Sequence, residues 1–98
     1  MGYYTDGRLA IENGDLKKAY EIYKTGEGEG DLNAEFGLAE MQWFGWYLDE
    51  DEDLAFNKID KLYKKIDKKA RKGDSESQLI RETCFLLLLQ LLIALDFR

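Results

Sequence analysis

Three Gly-Asp steps, Gly14-Asp15, Gly30-Asp31 and Gly73-Asp74, divide this chain, and they constrain its fold more than any other feature. Glycine takes the left-handed conformation that closes a helix, and aspartate then caps the next helix by accepting a backbone N–H bond. Asn13 and Lys72 precede two of these glycines, and such amide and basic residues suit a helix C-terminus. No proline interrupts the segments between the steps. Val is absent, Ile occurs six times, Thr three times and Leu 15 times. That balance favours helices over strands. The expected fold is all-α, with about five helices stacked as antiparallel hairpins in a single domain over residues 1–98.

The spacing of apolar residues places the helices. The first is expected from about 4 or 5 to 13. The second, from 15 to about 24, carries Leu16, Ala19, Tyr20 and Tyr23 on one face. Gly26, Gly28 and Gly30 alternate with Glu27 and Glu29 and are expected to form a flexible loop. The two glutamates would repel phosphate, so this is no phosphate cradle. The third helix, from 31 to about 47, is apolar on nearly all sides. Leu32, Phe36, Ala39, Trp43 and Trp46 line one stripe, and Leu38, Met41 and Leu48 another. Such a helix belongs in the middle of a bundle. The fourth starts within residues 49–53 and reaches 72, with Ala55, Ile59, Leu62, Ile66 and Ala70 as its stripe.

The last helix is expected from 74 or 75 to about 95. Eleven of the twelve residues at 84–95 are apolar. That stretch is about 18 Å long, short of the roughly 30 Å of a bilayer core, so no membrane span is expected. A small bundle cannot cover a helix apolar all round. The excess surface implies self-association into a homo-oligomer, with Phe85, Leu88, Leu89 and Leu92 as its contacts.

Composition removes most catalytic chemistry. The chain has no His, one Cys and two Ser, which excludes Ser-His-Asp and Cys-His catalysis, His-ligated zinc and disulfide scaffolds. Cys84 sits among leucines with no base to activate it. No enzyme, cofactor or metal site is expected. The net charge of −6 argues against direct binding to nucleic acid or an anionic membrane. The first residues have neither a basic start nor an apolar core, so the chain is expected in the cytoplasm.

The charge is unevenly distributed. Residues 1–54 carry 14 acidic and 4 basic side chains, and residues 55–98 carry 6 acidic and 10 basic ones. The simpler expectation is that the two halves face each other within the domain. The sharper one is an acidic face offered to a basic partner. Lys58, Lys61, Lys65, Lys68 and Lys72 form a stripe expected to be a solvated helix face. Asp49, Glu50, Asp51, Glu52 and Asp53 are the densest charge in the chain. Two or three carboxylates suffice to favour the start of the fourth helix, and the surplus marks a contact site for a basic surface. The EF-hand spacing and its Gly are missing from this run. Beside it lie Trp43, Trp46 and Tyr47, which helical geometry puts on one face with Phe44 turned away. Together these residues form the candidate site, an aromatic anchor with an acidic rim.

The chain also repeats. Asp31-Leu32-Asn33-Ala34-Glu35 matches Asp74-Ser75-Glu76-Ser77-Gln78 at an offset of 43 residues, the length of a two-helix unit. Between the copies stand Leu38-Ala39, Gln42, Gly45, Asp53-Leu54-Ala55, Leu62-Tyr63 and Ala70, then Gly73-Asp74. This pattern resembles the Sel-like repeat, a relative of the tetratricopeptide repeat, over about 31 to 78. Ala39 replaces the family's usual Gly, Gln42 its usual Tyr, and the second helix is longer. The resemblance implies a right-handed stack of tetratricopeptide-like hairpins that binds other proteins. Ala34, Gly37, Ala39, Gly45 and Ala55 would then lie where helices approach closely.

The expected function is therefore a non-catalytic module that binds another protein, one with a basic surface. The alternative is a small acidic inhibitor that occupies the basic groove of a nucleic-acid-binding protein. In size and charge the chain is similar to phage-encoded inhibitors of CRISPR effectors.

Overall fold

The computed structural model describes residues 2–96, apart from the side chains of 91, 92 and 94–96. Five helices follow in order: α1 (Tyr3–Glu12), α2 (Leu16–Gly28), α3 (Leu32–Phe44), α4 (Glu52–Arg71) and α5 (Ser75–Asp96). Each packs antiparallel on its neighbour in the chain, and α1 and α5 also touch α3. So α1, α3 and α5 form one layer, running in the same direction, and α2 and α4 form a second. The smallest dimension, 21 Å, is that of two stacked helices at about 10 Å each.

The Gly-Asp steps act as their chemistry requires. Gly14, Gly30 and Gly73 have φ of +81°, +82° and +100°. The carboxylates of Asp15, Asp31 and Asp74 accept from the amides of Lys18, Ala34 and Ser77 at 2.9–3.0 Å. Helix α1 begins differently, since its N-cap is Gly2 and has no side chain to offer. Glu76 of α5 supplies the acceptor from across the fold. Its carboxylate takes the Thr5 amide at 3.0 Å and the Thr5 hydroxyl at 2.7 Å. The same carboxylate accepts from Asn33 Nδ2 at 2.8 Å, and Ser77 donates to Asn33 Oδ1 at 3.2 Å. Asn33 and Glu76 are the repeat-equivalent positions, 43 residues apart. The first turns of α1, α3 and α5 are thus tied together at one end of the layer.

The core is built around α3, nine of whose residues are buried. Tyr23 of α2 is fully buried, with its ring lodged between two glycines. A Cβ at Gly7 of α1 would overlap that ring, and one at Gly37 of α3 would lie 2.6 Å from it. Tyr4 stacks on Tyr23 with centroids 6.1 Å apart and packs at a tilt against Phe36 at 5.7 Å. The stripe of α4 (Ala55, Ile59, Leu62, Ile66, Ala70) faces inward as its spacing requires, and Ile80, Cys84 and Leu87 of α5 meet the same core.

Two expectations need correction. The segment from Gly26 to Gly28 is the last turn of α2, not a loop. Gly26 is buried there because a Cβ would lie 2.6 Å from the Ala34 methyl and 2.7 Å from the Tyr3 ring, so its small size serves packing. Helix α3 stops at Phe44, not 47, because Gly45 turns to a left-handed φ of +72°. Gly45 is exposed and ends the helix, whereas Ala34, Gly37, Ala39 and Ala55 do sit at close approaches. The two halves do face each other where Glu27 and Glu35 share a cleft with Lys58, Lys61 and Lys65, although no described ion pair joins them. The described ion pairs, Arg8–Glu40, Lys24–Glu27, Arg71–Asp67 and Arg81–Asp67, each stay within one half.

These packing roles make opposite predictions for alanine at different glycines. Gly7→Ala and Gly37→Ala should each lose about 1–3 kcal/mol by overpacking against Tyr23, despite the better helix propensity. Gly28→Ala, where a Cβ meets nothing within 4 Å, should gain up to about 1 kcal/mol. Urea unfolding followed by circular dichroism measures all three. Destabilisation by Gly28→Ala would return that segment to a loop.

Candidate functional site

The segment between α3 and α4 is held from both ends by α3. The Trp46 amide donates to the Met41 carbonyl at 2.8 Å, and the Asp51 amide donates to the Gln42 carbonyl at 3.0 Å. Between these anchors the backbone turns twice through left-handed conformations, at Gly45 and at Tyr47, whose φ is +66°. Tyr47 is the one non-glycine residue with positive φ among the described residues. For a side chain with a Cβ, that conformation costs on the order of 1–3 kcal/mol.

This turn changes which aromatics face outward. Trp43 is 7% exposed and belongs to the core, so it leaves the candidate site. Phe44, expected to point away, is 41% exposed and stacks on Trp46 with centroids 4.7 Å apart. The helix ends between these residues, so the helical geometry that grouped 43, 46 and 47 does not reach the last two. Trp46 is half-buried, and the Arg8 guanidinium lies 6.0 Å from its ring centroid, within cation–π range. Tyr47 is 51% exposed and leans on Tyr20 of α2 at 5.2 Å. The outward surface is therefore Phe44, Trp46, Tyr47 and Tyr20.

Asp49, Glu50, Asp51, Glu52 and Asp53 are all exposed beside it. Asp51 is committed to structure, because its carboxylate caps α4 by accepting from the Leu54 amide at 3.0 Å. None of the five takes part in an ion pair among the described residues. Glu52 and Asp53 stand in the first turn of α4, where their charge favours the helix start, and Asp49 and Glu50 make no described ion pair. On α4 the lysines at 58, 61, 65 and 68, and Lys72 at its C-cap, are exposed.

Of the expected self-association residues, Phe85 and Leu89 are exposed at 54% and 40%. Leu88 is half-buried against the core and is not part of that surface. The side chain of Leu92 lies outside the described residues.

A second polar cluster went unread in the sequence. Glu40 of α3 is buried, accepts from the Tyr4 hydroxyl at 3.1 Å and pairs with Arg8 at 3.4 Å. The Tyr23 hydroxyl donates to the Tyr4 carbonyl at 3.5 Å. Burial raises the Glu40 carboxyl above its ordinary range, and Arg8 and Tyr4 only partly offset that. Burial likewise raises Tyr4 and Tyr23 and pushes the Cys84 thiol up to about 12. A thiol so placed is an inert core residue. The cluster orients α1 on α3. The clue was a single carboxylate inside an otherwise apolar stretch, since a charge there must be paired.

The raised Glu40 value fixes a sign. The folded state holds this proton more tightly than the unfolded chain does. Its contribution to stability is thus full below the ordinary value of 4.5 and lost as pH rises through the folded value. Tyr4, Arg8, Tyr23 and Cys84, which face Glu40, keep one protonation state across that range. Asp74 has the opposite sign: its carboxylate, held low by Ser77, contributes above 3.8 and loses that contribution as pH falls through its folded value. Unfolding midpoints across the acid range should show wild type losing ground to Glu40→Gln as pH rises. Parallel curves would contradict the assignment.

No protein-family model, no curated protein and no solved structure matches this chain.

Proposed function

We propose that this protein is a non-catalytic binding module that holds the basic surface of a partner protein against the turn between α3 and α4. The observation that carries the reading is Tyr47. Its backbone occupies a costly conformation, and its ring is left half-exposed next to four carboxylates without a cation. A strained, exposed aromatic contributes little to folding but makes a preformed anchor for a partner. The carboxylates would steer a basic surface toward it. The helical hairpins fit the resemblance to Sel-like repeats, which we retain as part of this reading. With Cys84 kept as a core thiol, we place the protein in the cytoplasm.

A second reading is a stoichiometric inhibitor that fills the basic groove of a nucleic-acid-binding protein. It is favoured by the exposed run at 49–53, none of whose carboxylates makes a described ion pair. Salt separates the two. Affinity for a groove of charges falls steeply as salt rises, while an aromatic anchor in an apolar pocket holds.

The test is capture of a partner from the source cell by wild type, by Tyr47→Ala, and by a variant with Asp49→Asn, Glu50→Gln, Glu52→Gln and Asp53→Asn. Asp51 is left in place to keep the α4 cap. Tyr47→Ala should weaken binding by about 30-fold, the size of an interface hot spot, with folding unchanged by circular dichroism. The fourfold variant should slow association and flatten the salt dependence. A partner held equally by all three proteins would refute the site.

A further inference from the structure

Helix α5 carries a second, separate surface. Leu79, Phe85, Leu86, Leu89 and Ile93 are between 40% and 57% exposed, a concentration of bare large apolar side chains on one helix. Leu79, Leu86 and Ile93 recur every seven residues and so form a straight seam about 21 Å long. Leu89 flanks it on one side, with Phe85 further round. Inward, Ile80, Cys84 and Leu87 are committed to the core, so the seam lies on the outer side of α5, with Leu79 beside Leu9 of α1 and Leu86 beside Tyr63 of α4.

We propose that this seam is covered by α5 of a second copy of the chain, packed antiparallel about a two-fold axis near Leu86. The area supports this occupant. The five side chains expose about 500 Å², near the upper end of what a monomer leaves bare. Two copies would hide about 1,000 Å² once the side chains flanking the seam are covered with it, the threshold for a specific interface. The seam also matches itself, because a two-fold axis near Leu86 brings Leu79 opposite Ile93 of the partner subunit.

Charge chooses the direction. Within one chain α4 and α5 run antiparallel, as the Gln78–Ala70 bond of 3.0 Å and the Arg81–Asp67 bond of 3.2 Å show. The acidic residues 49–53 therefore lie toward the C-terminal end of α5, and Lys68, Lys69, Arg71 and Lys72 toward its N-terminal start. Antiparallel pairing sets the acidic end of each copy level with the basic end of the other. Parallel pairing would set acid beside acid.

Sedimentation equilibrium on the full chain should give twice the 11.4 kDa chain mass. Leu86→Glu should raise the dimer dissociation constant by about 100-fold, since it buries a charge at the centre of the seam, while the helical signal is kept. Tyr47→Ala should leave the dimer intact. In an oxidised mixture of Leu79→Cys and Ile93→Cys chains, the mixed 79–93 disulfide should dominate. A monomer at tens of micromolar, a dimer indifferent to Leu86→Glu, or predominant 79–79 disulfides would each overturn the proposal.

Discussion

The ring of Tyr23 sits where three helices meet, and the rest of the structure depends on that contact. Helices α1 and α3 can both close on α2 only because Gly7 and Gly37 present no side chain to the ring. Tyr4 stacks on the same ring, and its hydroxyl reaches Glu40, which in turn holds Arg8. Arg8 lies over Trp46, at the base of the exposed turn. A continuous chain of contacts thus runs from the centre of the core to the aromatic surface. The turn is positioned by packing on its inner side and by two backbone bonds from α3, so a partner would meet a preformed shape.

Much of this architecture was legible in the sequence because it is written in local chemistry. The Gly-Asp steps need only a left-handed glycine and a capping carboxylate, and all three behave so. The apolar stripe of α4 and the all-round burial of α3 follow from periodicity alone. The 43-residue offset became a physical contact, Asn33 to Glu76, because equivalent first turns lie side by side in the layer. What stayed hidden depends on tertiary neighbours. Gly26 suggests a loop until Ala34 and Tyr3 are seen to demand its small size. Gly45 lies inside an aromatic run, and its left-handed turn exchanges the expected positions of Trp43 and Phe44. Gly45 is itself a local stop signal, masked by an apolar stripe that runs on to Trp46.

Two features run against stability, and both lie on the outside. One is the left-handed Tyr47, and the other is the bare seam of α5. In a domain of this size neither is offset by a large core, since a 98-residue chain buries only about two-thirds of its unfolded surface. Departures from good folding practice collect where binding needs them. The two surfaces differ in character. The turn is aromatic and acidic, suited to a basic partner, while the seam is aliphatic and self-complementary. In the two proposals the charge asymmetry would serve both, as an acidic rim at the turn and as the sign that orders two copies along α5.

A preformed anchor requires a turn that is held in place before any partner arrives, and native-state hydrogen exchange of the free protein tests that directly. The amides of Trp46 and Asp51, bonded to the Met41 and Gln42 carbonyls, should exchange slowly. Their opening free energy should approach that of the α3 amides from Phe36 to Met41. Exchange at unprotected rates for Trp46 and Asp51, with α3 still protected, would show a turn without a fixed shape and contradict the preformed anchor.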